Sequence, residues 1–487
     1  MREILVAFFK TGSSIAGNLL LNVVAMKIMA VILGPSGIGL YSLLRQIVDF
    51  ASKVGDAGTV AVVQGLASRK DRVRDDYLLT TFWIFVLGAT LIIVVLLIFA
   101  PWVALWVFGH DDEQTINLLR WLALPTALTL ASAYLDGVLN SFRAIGLLAL
   151  LHVLSGAAMA LLAYPVSSLV EAGHPIAFIA ILSAPPAVVV VFGIRSALKA
   201  GWLTPLLRSL RIGIRSNLLR HFFSIAGTLL ITGWMSAGVV LAVRALVVQQ
   251  EGLASAGIFA AAWILSGTYL LLYLDAFSVY YLPTLSQTTD IAERTTLMQH
   301  IMRLTTLFTV PLIVSVISLK PLVVEILYSS EFAPSLEIIR WMLIGDYFWA
   351  VVWVIDIQMM AYANMKILFW TNFLWHAGFL ASTVVALFYF SSMQGIGIGF
   401  LITHVIRLAY YLYYSRSRYH FPLTRSTVSP WLLGLALVVG VSWYTWSDTQ
   451  VDWFAAPLWV GVAASFSWLS LGQNERRDVL RIALRRR

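Results

Sequence analysis

The chain has 487 residues, of which 60% are hydrophobic and only 12% are charged. Because a soluble domain carries about 25% charged residues, this composition excludes a water-soluble globular protein. A net charge of +9 would favour a nucleic acid partner in a soluble chain, but here we attribute it to membrane topology and expect no nucleic acid. The chain has no cysteine, which excludes disulfides, thiol nucleophiles and cysteine-bound metals.

The apolar residues occur in long runs, such as residues 91–100 (LIIVVLLIFA). Backbone groups in lipid must pair internally, so only helices or a closed barrel can span a membrane. These runs are longer than the alternating strands of a barrel, which have about 10 residues, and the sequence therefore predicts an all-α membrane protein of about 14 spans. We place the spans near residues 11–33, 37–66, 78–100, 117–139, 147–166, 176–195, 222–247, 257–281, 302–326, 337–360, 367–389, 396–415, 430–446 and 454–471.

The loops predict the orientation of the chain and two segments at the membrane surface. Most of the 33 Lys and Arg residues fall in the N-terminus, the alternate loops and the C-terminal tail, which predicts that both termini are cytoplasmic. We expect the basic tail to lie on anionic lipid. The third and ninth spans are each followed by an apolar stretch, containing Pro101 or Pro321, that we expect to lie along the interface.

An internal repeat divides the first twelve spans into halves. At a spacing of 220 residues, segment 118–121 (LLRW) matches 338–341 (IIRW), and Gly37 and Asp136 match Gly257 and Asp356. Since six helices return the chain to the same side, the sequence predicts two six-helix lobes related as parallel repeats, an architecture of transporters. The predicted domains are an N-terminal lobe at 1–198, a basic cytoplasmic linker at 199–221, a C-terminal lobe at 222–415, two extra transmembrane helices at 416–472 and a basic cytoplasmic tail at 473–487.

The second span carries four charged residues on one helical face: Arg45, Asp49, Lys53 and Asp56. Their spacings of three and four residues make them neighbours along that face. A charge at mid-bilayer costs at least about 2.5–3.5 kcal/mol, so the face must line a polar interior. Two interpretations remain open and are compatible: a wet cavity wall, or two structural ion pairs.

Other charges lie inside the predicted spans. Lys27 has a depth similar to that of Arg45, which suggests an anion site, and Arg244 and Arg407 are further candidates for the same cavity, although Arg244 could also extend outward to the membrane surface. The buried acids are candidates for a coupling proton or sodium ion, or for pairing between helices: Asp136, Asp275, Asp346 and Asp356. His376 and His404 lie mid-span as interhelical hydrogen bonders or a proton relay, whereas Arg120 and Arg340, each beside a Trp, are interpreted as interfacial anchors.

Three segments carry a resemblance to a known family: 33–40 (LGPSGIGL) followed by Leu44-Arg45-Gln46, 276–286 (AFSVYYLPTLS), and 344–346 (IGD). Over about residues 5–415 the chain resembles the lipid III and O-antigen translocases of the multidrug/oligosaccharidyl-lipid/polysaccharide exporter superfamily. The resemblance implies two six-helix lobes around a cationic cavity, and Arg45 as a cavity cation. The two helices beyond residue 429 depart from the twelve-helix pattern of that family.

The combined prediction is a flippase, not an enzyme and without a cofactor, in the bacterial inner membrane. By alternating access it would move a polyprenyl-diphosphate-linked oligosaccharide, of the lipid III (enterobacterial common antigen) or O-antigen type, from the cytoplasmic to the periplasmic leaflet. The predicted cationic cavity comprises Arg45, Lys27, Lys53, Arg407 and Arg244; the cavity or coupling acids are Asp49, Asp56, Asp275, Asp346 and Asp356. Membrane lipids and the polysaccharide polymerase or chain-length machinery are candidate partners. The alternatives are an ion-coupled multidrug exporter of the same superfamily, and a membrane scaffold or enzyme of polysaccharide assembly.

Overall fold

The computed structural model describes residues 2–208, 215–288, 290–362, 364–419, 421–422, 424–447, 450–473 and 475–476. These residues form helices and connecting turns, with no strand among them. The helices are α1 Arg2–Ala51, α2 Lys53–Ala67, α3 Asp71–Phe108, α4 Glu113–Trp121, α5 Ala123–Ser141, α6 Ile145–Glu171, α7 Phe178–Lys199, α8 Thr204–Arg208, α9 Ser216–Leu265, α10 Thr268–Gln287, α11 Ile291–Leu327, α12 Ser335–Ala361, α13 Met365–Phe390, α14 Gln394–Tyr419, α15 Arg425–Tyr444 and α16 Ala455–Ser470.

Two of these helices, α1 and α9, each contain a sharp break at a glycine. Gly34 has φ 62° and Gly252 has φ 83°, backbone angles that side chains other than glycine rarely tolerate. Pro35 follows the first break and cannot donate the hydrogen bond that would continue the preceding helix. Both breaks fall where the sequence predicts a turn between successive spans.

Within the described residues, eleven helices are long and apolar enough to cross a membrane. The difference from the predicted number of about 14 has two sources. The segments Gly17–Ala51 and Leu229–Leu265 each include a glycine break and count once, and α16 has only 16 residues. The protein is thus a multi-pass, all-α membrane protein, as predicted, and the predicted number of 14 spans is approximate.

The apolar stretches after the third and ninth spans are continuations of the spanning helices, and their placement along the interface stays a prediction. Helix α3 continues through Pro101 to Phe108, and α11 continues through Pro321 to Leu327. A proline removes one backbone hydrogen bond, and in a membrane-spanning helix neighbouring groups can satisfy the carbonyl that is left. The apolar residues after each proline therefore extend the helix.

The chain divides into two compact units, Met1–Gly257 and Ile258–Arg487. In the first unit, α2, α3 and α5 to α7 surround a core that includes Ala61, Tyr77 and Val138. In the second unit, α12 is the most buried span and contacts α10, α11, α13, α14 and α15. The predicted domain limits stay a prediction; of the basic linker, α8 is described, whereas residues 209–214 lie outside the described residues, as do the tail residues from 477 onward.

Within the second unit, two cations bond to the C-terminal end of α15, the first of the two additional helices. The ammonium of Lys320 donates to the carbonyl of Thr445 and, at 2.9 Å, to its hydroxyl, and Arg340 donates to the carbonyl of Trp446 at 2.8 Å. Both acceptors lie just beyond the C-terminus of α15, where cations are favourable. Arg340 is buried and lies 4.2 Å from the Trp446 ring, so it caps α15 within the protein; its role as an interfacial anchor stays a prediction.

Two aspartates in connecting loops cap the start of helices. Asp112 accepts the backbone N–H of Thr115 at 2.9 Å, and Asp452 accepts those of Phe454 and Ala455 at 3.0 Å. These backbone hydrogen bonds favour the ionised carboxylates and hold the pKa of Asp112 and of Asp452 below the ordinary value. Each cap is therefore fully formed above the ordinary Asp pKa of about 3.9 and is lost as the pH falls through the lower, folded value.

Candidate substrate-binding site

The charged face of the second span is divided by a helix break. Helix α1 ends at Ala51 and α2 begins at Lys53, with the hydroxyl of Ser52 bonded back to the carbonyl of Val48 at 2.7 Å. Arg45 and Asp49 lie on α1 with 3.9 Å between Nε and Oδ2, and Lys53 and Asp56 lie on α2 with 2.6 Å between Nζ and Oδ2. The four residues therefore form the two ion pairs that one of the open interpretations specified.

The same four side chains also remain accessible. The side chains of Arg45 and Asp49 are 52% and 47% exposed, and that of Asp56 is 63% exposed. Since lipid is too costly a neighbour for such charges, this face requires water or a polar ligand. An exposed ion pair contributes only about 0–1 kcal/mol, so Arg45 and Lys53 can exchange their carboxylate partners for a phosphate.

Side-chain hydrogen bonds between α1 and α9 hold α1 next to this charged face. Arg244 donates to the carbonyl of Ser42 at 2.7 Å, one helical turn before Arg45. Gln46 donates to the carbonyl of Ala237, and the indole of Trp234 donates to the carbonyl of Phe50, both at 3.1 Å. We refer to these three bonds as the α1–α9 seam. The seam runs along α1 from Ser42 to Phe50 and fixes the helix that carries Arg45.

Arg244 and Lys27 differ in their surroundings. Arg244 is only 6% exposed, so it does not extend outward to the membrane surface, and its guanidinium instead lies close to the segment that bears Arg45. Lys27 is partly buried in the part of α1 that precedes Gly34. The first unit thus contains four of the five predicted cations, whereas Arg407 belongs to the second.

Arg407 forms a buried ion pair with Asp356. Its Nη2 lies 2.8 and 2.9 Å from the two carboxylate oxygens, and the hydroxyl of Tyr411 donates to the same carboxylate at 2.6 Å. Arg407 is 7% exposed. For Asp356, pairing between helices, one of the open alternatives, is therefore the arrangement in the structure, and the charge of Arg407 is neutralised by its partner.

The remaining acids occupy separate places. Asp346 is fully buried and accepts the Ser266 hydroxyl and the Gly267 N–H at 3.0 Å, which holds the junction between α9 and α10. Asp136 lies 3.9 Å from Nε2 of His152. The side chain of Asp275, on α10, lies outside the described residues.

Two residues with buried polar contacts were not predicted from the sequence. Tyr411 carries the third hydrogen bond to Asp356, and Lys320 caps α15. A lysine inside a predicted span is itself a signal, and it should have singled out Lys320. Tyr411 offers no such signal, because tyrosine is common in membrane helices near the interface.

Three comparisons relate the chain to known proteins. Residues 28–337 match the family of polysaccharide biosynthesis proteins. The lipid III flippase of Escherichia coli (strain K12) is 26% identical over 351 residues, which cover 70% of this chain and 81% of that protein, and the lipid III flippase of Shigella flexneri gives the same values.

Among solved structures, the lipid II flippase MurJ in an inward closed conformation has a TM-score of 0.70 and 15% identity, covering 98% of this chain and 100% of that one. An inward-facing multidrug resistance transporter of the MATE family, in the MOP superfamily, has a TM-score of 0.67 and 12% identity, covering 82% and 94%. At these identities the likeness shows the fold. The near-complete match to MurJ includes the two C-terminal helices, which are therefore not unusual for this fold. On the family match to residues 28–337, the chain is a member of the polysaccharide biosynthesis protein family.

Proposed function

We propose that this protein is a flippase for a lipid-linked oligosaccharide, a transporter and not an enzyme. The observation that carries the proposal is the 26% identity to the lipid III flippase over 351 residues. The accessible charged face on α1 and α2 supports it, since a spanning protein needs exposed charges at that depth to handle a polar ligand.

The expected substrate has a polyprenyl tail, a diphosphate and sugars. We assign the diphosphate to Arg45, Lys53 and Lys27, because an anion enters a low-dielectric space only with compensating charge and hydrogen bonds. Arg244 would act as a positioning residue through its bond to the Ser42 carbonyl. The polyprenyl tail would remain in lipid, while alternating access carries the head group across.

The location follows from the same reasoning. We expect the bacterial inner membrane with both termini cytoplasmic, on the distribution of Lys and Arg in the loops. A polysaccharide polymerase or chain-length machinery stays a predicted partner, and the identity of the glycan, O-antigen or enterobacterial common antigen, stays open to experiment.

Charge reversal at Arg45 tests the site. Arg45→Glu should reduce export of the lipid-linked glycan by about tenfold or more, because a hydrogen bond to a charged group contributes about 1.5–3 kcal/mol and 1.4 kcal/mol is a factor of ten. The measurement is glycan on the cell surface, normalised to the level of the protein in the membrane.

Arg120→Glu is the matched control, since it makes the same charge change at an exposed residue at the end of α4. It should leave export within about twofold of that of the unmodified protein, because a surface substitution usually changes the free energy by no more than about 0.5 kcal/mol. Normal export by Arg45→Glu at a normal protein level would remove Arg45 from the site.

The likeness to the MATE transporter makes a multidrug exporter the second candidate. Cells that lack the protein separate the two functions. Accumulation of a lipid-linked sugar on the cytoplasmic side supports the flippase, whereas increased drug sensitivity without such accumulation supports the exporter.

A further inference from the structure

A buried polar cluster lies among α12, α13 and α14 of the second unit. Its centre is the Asp356–Arg407 pair, and the carboxylate of Asp356 accepts three hydrogen bonds, two from Arg407 and one from Tyr411. The hydroxyl of Tyr411 also lies 2.6 Å from that of Thr371 on α13. Each oxygen of Asp356 therefore accepts at least one hydrogen bond, and a proton added there would weaken the ion pair with Arg407.

Two imidazoles beside this pair have unused nitrogen atoms. Nδ1 of His376 lies 2.7 Å from the carbonyl of Asn372. Because a carbonyl only accepts, Nδ1 carries the proton and Nε2 keeps a free lone pair. Nε2 of His376 and Nδ1 of His404 are both buried and have no hydrogen-bond partner in the protein. The two residues are only 6% and 2% exposed, respectively.

Aromatic rings pack against both imidazoles. The ring of Trp375 lies 4.4 Å from that of His376 and 5.0 Å from that of His404, and the Phe400 ring lies 4.5 Å from His404. A buried polar atom without a partner costs about 1–3 kcal/mol. Nε of Arg407 is a third buried atom without a partner in this cluster. Three such atoms side by side lower the stability of the fold, and a functional role would explain why they are present.

The charged and titratable groups that face the imidazoles come from three helices. Helix α12 contributes Asp356, α14 contributes Arg407 and Tyr411, and α13 contributes His376 itself. Residues 258–265 of α9, which pack here through Trp263, contain no ionisable side chain. Arg407 acts electrostatically on both imidazoles, and its charge is balanced by Asp356.

We propose that His376 and His404 form a proton-binding site in the second unit, and that the proton held there is the coupling ion of transport. The coupling part rests on the proposed flippase function. A proton from water adds to the lone pair of an imidazole and leaves an imidazolium, so the cluster changes from neutral to a net charge of one. The imidazolium then competes with Arg407 for the carboxylate of Asp356, which gives α12, α13 and α14 two arrangements that differ in which cation is paired.

Proteoliposomes containing the full chain test this inference with a fluorescent polyprenyl-diphosphate disaccharide as probe. With one proton per probe, a gradient of about two pH units permits about a hundredfold asymmetry of the probe between the leaflets at steady state, because each unit is a factor of ten. The protein should build up this asymmetry, and His376→Gln and His404→Gln should reduce it towards equal distribution.

Exchange of the probe without a gradient serves as the measure of folding, since an uncoupled but folded variant still equilibrates the two leaflets. His152→Gln is the matched control, because His152 lies on α6 of the first unit and is exposed. It should retain the full asymmetry. Transport by the unmodified protein that ignores the gradient would overturn the proton site, as would full asymmetry in the His376→Gln/His404→Gln double variant. Absence of any exchange by the unmodified protein would count against the flippase function itself.

Discussion

At the scale of single residues, the Asp356–Arg407 pair shows how a buried charge is accommodated in a membrane-spanning helix. The two residues are 51 positions apart, and each carries a charge that lipid would not tolerate. Together, and with Tyr411, they satisfy one another at 2.6–2.9 Å. Removing one partner leaves the other charged and buried, which costs far more than the pair contributes.

We expect Arg407→Ala to destabilise the protein by about 3–5 kcal/mol, the usual result of breaking a buried ion pair. The double variant Asp356→Leu/Arg407→Met should recover most of that loss, because it removes both charges. Thermal unfolding in detergent measures both effects, with Arg120→Ala as an exposed control. A double variant no more stable than Arg407→Ala would contradict this account.

At the scale of the elements, the segments that follow the two glycine breaks lie against each other in the first unit. A Cβ at Gly39 would overlap the carbonyl oxygen of Leu253, and a Cβ at Gly257 would overlap the carbonyl oxygen of Pro35. The segment after Gly34 and the segment after Gly252 therefore touch through their backbones, with no space for a side chain between them.

Gly39→Ala should accordingly destabilise the protein by about 1–3 kcal/mol through overpacking, although alanine favours a helix. Gly440→Ala on α15 is the matched control, because a Cβ there meets nothing within 4 Å; it should be neutral or stabilising by up to about 1 kcal/mol. Equal unfolding temperatures for the two variants would argue against a tight backbone contact.

At the scale of the whole molecule, the C-terminal helices α15 and α16 complete the second unit. Lys320 and Arg340 bond to the C-terminal end of α15, and the hydroxyl of Tyr347 donates to the carbonyl of Trp431 at 2.7 Å. Arg303 donates to the carbonyl of Ser470, the last residue of α16. The pair of helices is therefore held to α11 and α12 at several depths.

Truncation after residue 424 should lower both the yield and the unfolding temperature, because it removes the acceptors of Lys320 and Arg340. Replacing Lys320 by Met in the truncated chain should recover part of the loss, since the buried ammonium there has lost its bonds to Thr445 and a hydrogen bond to a charged group contributes about 1.5–3 kcal/mol. In the full-length chain the same replacement should be neutral or destabilising. Stabilisation of both chains alike would show that Lys320 does not depend on α15.

The features that depend on local sequence patterns could be predicted from the sequence. The features that depend on contacts between residues far apart in the chain could not. The turn at Gly34-Pro35 follows from glycine and proline conformations, and the spans follow from apolar runs. The helix junction at Ser266 and Gly267 lies inside a span that the sequence predicts to be continuous. The junction depends on a hydrogen bond to Asp346, 79 residues after Gly267, which no local pattern indicates. The charges of the candidate site were found, but the division of the second span at Ser52 and the partner of Arg407 required the structure.

The α1–α9 seam has a consequence for how the sequence can vary. Each of its three bonds has a side-chain donor, on Arg244, Gln46 or Trp234, and a backbone carbonyl as acceptor. Any residue at the acceptor position supplies the same carbonyl, so Ser42 and Phe50 can drift in relatives without loss of the bond. The donors have no such freedom, and no change at the acceptor can compensate for their loss. Each bond is thus encoded by its donor residue alone, and pairs of correlated substitutions would not reveal it.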